Sequence, residues 1–257
     1  MFRRKNKVYS GSNVIMINGT IINGNTSPGE FKKIDENKTE LADKIDKICI
    51  TSPFVDVNIS VSNSSEIKAH FYGEGTISGD INLTTKIFNR EMKISIESYG
   101  NFSINGSLKL DICIPSKTFK SISVKTTSGD IILNNGISTS YLEINTTSGD
   151  IAINEGILAS SLKVKSTSGD LKNYAIFTDA DINSTSGDIL LFNAAKRNII
   201  VNISTTSGDV TTDFGNVGYI NLSTSTISGD IRNNHKNKDG YTADLDISTI
   251  SGDIVIF

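Results

Sequence analysis

The sequence predicts an all-β chain wound as a β-solenoid-like stack of strand–turn–strand coils of about twenty residues, and three observations carry that prediction. Ser-Gly-Asp occurs eight times, with Asp at 80, 130, 150, 170, 188, 209, 230 and 253; from Asp130 onward the spacings are 20, 20, 18, 21, 21 and 23 residues. Ahead of the motif, apolar residues alternate with polar ones, as in Ile122 and Val124, Leu142 and Ile144, Leu162 and Val164, Val201 and Ile203, and Leu245 and Ile247. Behind it stands an aliphatic residue: Ile131, Ile151, Leu171, Ile189, Val210, Ile231 or Ile254. Period-two alternation is the mark of a half-buried strand, so the unit reads as strand, Ser-Gly corner, strand, second corner.

The first corner has a mechanism. Gly129, Gly149, Gly169, Gly187, Gly208, Gly229 and Gly252 supply the positive φ that a type II turn requires. The Asp carboxylate is expected to accept local backbone N–H groups. On the same parity as the inward apolar residues come Thr126, Thr146, Ser166, Ser184, Thr205, Thr226 and Thr249. Facing outward beside them, Thr127, Thr147, Thr167, Thr185 and Thr206 form a ladder, which the later coils continue with Ile227 and Ile250. The second corner varies in length, from Asn134-Asn135-Gly136 to the run from Asn233 to Gly240. One edge is thus held by structure while the other is free to vary, and variable loops on a rigid scaffold are where recognition concentrates.

Twenty residues at ~3.3 Å each give a perimeter of ~66 Å, enough for two short strands and two corners, and seven coils at ~4.8 Å extend about 34 Å. An antiparallel meander with the same repeat is the alternative; winding is preferred because it stacks like residue on like residue.

The whole chain, residues 1–257, reads as one elongated domain. In 1–44, Val14-Ile15-Met16-Ile17, Asn18-Gly19 and Thr20-Ile21-Ile22 signal a hairpin with a type I′ turn. A polar stretch over 30–47 follows, readable as a short helix or an extended arm. Residues 45–120 form irregular early coils and a cap, the isolated Ser78-Gly79-Asp80 marking a degenerate coil. Residues 121–257 hold the regular repeats. The last coil ends on Ile254-Val255-Ile256-Phe257, an apolar strand that predicts self-association through a C-terminal edge, unless the loop over 232–243 folds across it.

Composition narrows the function. Hydrophobic residues make up 37% of 257 and the net charge is −3, without the basic excess of a nucleic-acid protein. No apolar run approaches the ~18 residues of a membrane helix, and no membrane insertion is expected. The basic start Arg3-Arg4-Lys5 is not followed by an apolar segment of the roughly 7–15 residues a secretory signal needs. The expectation is therefore cytoplasmic, with surface association left open. Cys49 and Cys113 each sit between two isoleucines and read as buried or half-buried strand thiols. His70 and His235 lie near no candidate nucleophile and read as solvated.

The aspartate column is the one candidate for metal binding. Asp130, Asp150, Asp170, Asp188, Asp209 and Asp230 would repeat every ~4.8 Å, where like charges repel by ~1 kcal/mol in water and several-fold more at a protein surface. Turn N–H groups and Lys125 and Lys165 are expected to offset this. Calcium wants 6–8 oxygen ligands, and one Asp and one Ser per coil is a thin set, so neither metal nor cofactor is expected. Lys196, Arg197, Arg232, Lys236 and Lys238 are placed on the opposite edge, a weak attraction for an anionic partner.

The segments Leu110-Asp111-Ile112-Cys113-Ile114-Pro115 and Ile122-Ser123-Val124-Lys125-Thr126-Thr127-Ser128-Gly129-Asp130-Ile131, with the repeats that follow, resemble the bacterial putative-adhesin family, a domain of unknown function built of β-strand repeats. Ile17-Asn18-Gly19 and the segment Ile48–Tyr72 are also similar to it. The resemblance covers essentially the whole chain and implies a β-repeat fold with no catalytic residues to carry over. The expected function is a non-catalytic scaffold, structural or binding, whose partner is a protein or a glycan. The alternatives are a polysaccharide-active enzyme on a β-helix and an envelope-associated regulatory module that binds a protein.

Overall fold

The computed structural model describes the backbone of residues 14–17, 20–23 and 30–257, and the side chains from residue 30 onward except those of 101 and 102. Among the described residues every regular element is a strand. Strands β1 (Val14–Ile17) and β2 (Thr20–Asn23) form the expected antiparallel pair. The Asn18-Gly19 turn between them lies outside the described residues.

Three strands open the main sheet: β3 (Glu30–Leu41), β4 (Lys47–Ser52) and β5 (Asp56–Ser62). Two long ones follow, β6 (Glu66–Phe88) and β7 (Glu91–Pro115). The repeats then supply β8 (Thr118–Thr126) with β9 (Ile131–Leu133), β10 (Ser138–Asn145) with β11 (Ile151–Ile153), and β12 (Leu158–Ser166) with β13 (Leu171–Asn173). They continue as β14 (Asp179–Ser186) with β15 (Ile189–Phe192), β16 (Ile199–Ser207) with β17 (Val210–Asp213), β18 (Val217–Ser225) with β19 (Ile231–Asn233), and β20 (Tyr241–Ser248) with β21 (Ile254–Ile256).

Each pair is one coil, and coils stack in parallel. Leu142 lies beside Ile122 and Leu162, and Ile151 beside Ile131 and Leu171. The meander is thereby ruled out, and the solenoid-like stack is what the chain forms. Two parallel ladders result, with the inward residues of both buried between them, such as Val124, Leu133, Ile144, Ile153 and Val164. Burying each such side chain is worth about 1.5–3 kcal/mol, which is why the alternation decides the fold.

Chain order and spatial order part company at both ends. The coil of β4 and β5 lies between β7 on one side and the coil of β8 and β9 on the other. It is a regular coil, not an irregular one. The hairpin of β6 and β7 is the cap proper, running antiparallel from Lys68↔Cys113 to Phe88↔Glu91. Ser78-Gly79-Asp80 sits inside that hairpin at a register shift, so it is a bulged strand rather than a degenerate coil. The stretch from Glu30 to Leu41, read from its charges as a helix or an arm, is a strand along β6. Its burial is that of an edge: only Ile34 faces the core, and a single inward apolar residue leaves no period for sequence to show.

At the other end, β20 and β21 insert between the coil of β16 and β17 and the coil of β18 and β19. The C-terminal strand is therefore an interior strand, with Ile254 and Ile256 fully buried, and it offers no edge for self-association. The edge belongs to β18 and β19. There Thr224 and Asn233 occupy inward positions that Ile247 and Ile256 fill in the next coil, which gives the core a polar end. The loop between β19 and β20 does cover part of this end, with the Lys238 and Asn237 groups meeting Gly218 and Ile220.

Candidate functional site

The Ser-Gly-Asp corners stack into one straight edge, and its chemistry is built from backbone. Each aspartate Oδ1 accepts the backbone N–H of the aspartate in the adjoining coil. The series runs Asp56 to Asp130, Asp130 to Asp150, Asp150 to Asp170, Asp170 to Asp188 and Asp188 to Asp209, each at 2.9–3.0 Å. It continues from Asp209 to Asp253 and from Asp253 to Asp230, both at 2.8 Å. The bonds thus run between coils, whereas sequence reading placed them within each turn. Hydrogen bonds to a charged group are worth about 1.5–3 kcal/mol each, a gain of the same order as the repulsion between neighbouring carboxylates, which is ~1 kcal/mol in water and several-fold more at a protein surface. Lys125 and Lys165 form no ion pair with the column among the described residues. Asp56, with no Ser-Gly before it, starts the ladder; Arg232 reaches Asp230 at 3.3 Å and ends it, so Arg232 belongs to this edge and not to the opposite one.

Glycine is required here chiefly by how closely the coils approach. A Cβ at Gly169 would sit 2.2 Å from the Gly149 carbonyl oxygen, and one at Gly149 would sit 2.4 Å from that of Gly129. Positive φ adds to this at Gly149, Gly169, Gly187, Gly208, Gly229 and Gly252. Gly129 departs from the turn expectation: its φ is not in the left-handed region, and a Cβ there is excluded only by the Val55 carbonyl at 2.6 Å. Behind the glycines, inward hydroxyls close the corner, as Thr126 Oγ1 donates to Thr146 Oγ1 and Ser166 Oγ to the Ser168 carbonyl.

For metal binding, the outcome at Asp130, Asp150, Asp170, Asp188, Asp209 and Asp230 is that one oxygen of each carboxylate already holds an N–H. No three acidic, histidine or cysteine side chains converge among the described residues. Cys49 and Cys113 are free and half-buried; burial pushes the Cys49 thiol up from its ordinary value, and Cys113 Sγ lies 3.4 Å from Ser60 Oγ.

A second feature crosses the outer face of the narrower ladder. Tyr72 Oη donates to Asp111 Oδ2 at 3.0 Å, and Asn58 Nδ2 donates to Asp111 Oδ1 at 3.2 Å. Asn134 Nδ2 donates to Asn58 Oδ1 at 2.6 Å, and Asn154 Nδ2 to Asn134 Oδ1 at 3.3 Å. Five side chains from five adjoining strands or their ends are thus linked. His70, read as solvated, has a side chain 40% exposed and is also bonded to Asp35 at 2.8 Å and stacked on Tyr72, while His235 stays in its loop. The row continues as Tyr174 stacked on Phe192 at 5.0 Å. Asn134, Asn135, Asn154, Glu155 and Tyr174 line a shallow depression of about 510 Å³ at the variable corner. Sequence reading missed this row. The signal lay in the outward residue three after each strand-opening aliphatic, Asn134, Asn154 and Tyr174, but only pairing across coils brings Asp111 and Asn58 to it.

A model of the Toastrack DUF4097 family matches residues 45–257. The chain belongs to that family. The Toastrack match begins just before β4 and takes in the hairpin cap and every later coil, leaving β1 to β3 outside. Among solved structures, a protein described as a putative adhesin from Bacteroides fragilis is similar in fold, with a TM-score of 0.53 at 19% identity over 88% of this chain and 98% of that one. Another so described, from Parabacteroides distasonis, has a TM-score of 0.50 at 13% identity over 88% and 97%. No curated protein matches the chain.

Proposed function

We propose that this Toastrack chain is a non-catalytic β-repeat scaffold, an adhesin-like binding protein that presents the outer row at its variable corner to a glycan. The observation that carries the reading is the aspartate ladder. The repeated acidic group, the natural candidate for acid–base or metal chemistry, is committed to joining one coil to the next. A glycosidase instead needs a pair of carboxylates free to face one bond. Amide and carboxylate groups beside an aromatic face supply what a sugar needs, hydrogen bonds for its hydroxyls and a flat apolar surface for its ring.

The test is a panel of neutral and acidic glycans assayed for both binding and turnover. Saturable binding that weakens in Asn154→Ala and Tyr174→Ala, with no product formed, is expected. Turnover of any member would overturn the non-catalytic reading, and binding indifferent to both substitutions would remove the site.

A further inference from the structure

We propose that the end of the stack formed by β18 and β19 is an interface with a second copy of this chain, β18 of one copy pairing antiparallel with β18 of the other about a two-fold axis. The two ends of the molecule differ in how they treat an open sheet edge. At the N-terminal end β3 carries Glu30, Lys32, Lys33, Asp35, Glu36, Lys38 and Glu40 among its 12 residues. Charges of that density are how proteins keep an edge from pairing. Its side chains also reach back onto the strand behind, with Glu36 accepting the Leu83 N–H and Lys32 bonding the Gly79 carbonyl.

Among the described residues the other end is guarded less, with Arg232 as the one charge on its two edge strands. Again among the described residues, β18 bonds only to β20, on its inner side, and β19 only to β21. Val217–Ser225 holds no charged residue and no proline. The β19–β20 loop covers Gly218 and Ile220, which leaves the stretch from Asn221 to Ser225 open to a new strand.

Side chains agree with the backbone. The outward row that is threonine at 127, 147, 167, 185 and 206 becomes isoleucine in the two coils at this end alone, at Ile250 and Ile227, which are neighbours in register through Ser228 and Ser251. Ile227 is 82% exposed, Ile250 50% and Ile231, on the edge strand itself, 43%. Apolar residues are thus added where the open edge is, and nowhere else along that row.

The occupant follows from charge and symmetry. An uncharged strand can meet itself antiparallel with no like charges opposed, and a two-fold contact of this kind closes on itself. A head-to-tail contact would set β18 against the charged β3 and would continue into fibres, so assembly stops at two.

Light scattering on the full chain across a concentration series should give twice the chain mass at high concentration. Ser223→Lys with Ile227→Lys should raise the dissociation constant about a hundredfold or more through opposed like charges, while Thr39→Lys on β3 should leave it unchanged. Single cysteines at Asn221, Ser223 and Ser225 give a second reading that does not depend on the charged variant folding; at least one should yield a reducible dimer under mild oxidation that the unchanged chain does not. A monomer at every concentration, a dimer indifferent to the lysines at 223 and 227, or a series of masses above two would overturn the proposal. So would cross-linking at none of the three positions.

Discussion

The Ser-Gly-Asp corner and the corner opposite it are made by the same coils, yet they obey different rules. At the first, backbone lies against backbone, and a Cβ on Gly169 would meet a carbonyl oxygen at 2.2 Å. At the second the coils stand further apart: a Cβ on Gly156 meets the Asn135 Cβ at 3.2 Å and backbone atoms no closer than 3.8 Å. Close approach demands constancy, because a carbonyl held in a parallel ladder cannot move alone. Looser contact admits the insertion from Asn193 to Asn198, which Asn193 steadies by donating to the Phe177 carbonyl and accepting the Ala195 N–H.

The sharpest way to break this comparison is a matched pair of substitutions. Gly169→Ala should cost about 2–5 kcal/mol from overpacking and positive-φ strain together, whereas Gly156→Ala should cost about 1–2 kcal/mol, chiefly from φ. Urea denaturation of the two variants checks it, and equal losses would mean that both corners are governed by turn conformation. Next in size, Asp150→Ala should cost about 1.5–3 kcal/mol by stranding the Asp170 N–H, and Asp150→Asn less, since its amide oxygen still accepts. Added calcium should not lift the melting temperature of the unchanged chain; a steep rise would show that the ladder carboxylates prefer a cation to the N–H.

The smallest effect concerns a third place, where charge rather than backbone ties coils together. Asp46 is held well below the usual carboxylate range by the Arg90 guanidinium, at 2.7 and 2.8 Å, and by Lys120 at 3.0 Å. Its folded value lies below the unfolded value of about 4, so its contribution is complete above that pH and is lost as pH falls through the folded value. Melting temperature followed from neutral pH into acid should therefore drop less steeply in Asp46→Asn than in the unchanged chain.

Legibility differed by region for a physical reason. In β8 to β17 the inward alternation and the corner tripeptide agree, and Leu142, Ile144, Thr146 and Ile151 are all buried or nearly so, as their parity requires. The hairpin cap was harder, because Ser78-Gly79-Asp80 keeps the tripeptide while its strand runs antiparallel, and a tripeptide carries no direction. Of the row from Tyr72 to Asn154, sequence carries a signal only at Asn134 and Asn154, since these reach Asp111 only through Asn58, which is distant in sequence from both.

From its own pattern the chain determines that it is β throughout, which faces turn inward, and that like coils lie over like, because burial of alternating aliphatics is a local property repeated at a constant interval. Tertiary structure alone decided the order of the coils at the two ends, the partner of each aspartate and which strand is left at the edge. Those depend on long-range pairing, where a coil with the right parity fits between any two neighbours and the polar inward residues Thr224 and Asn233 send theirs to the outside.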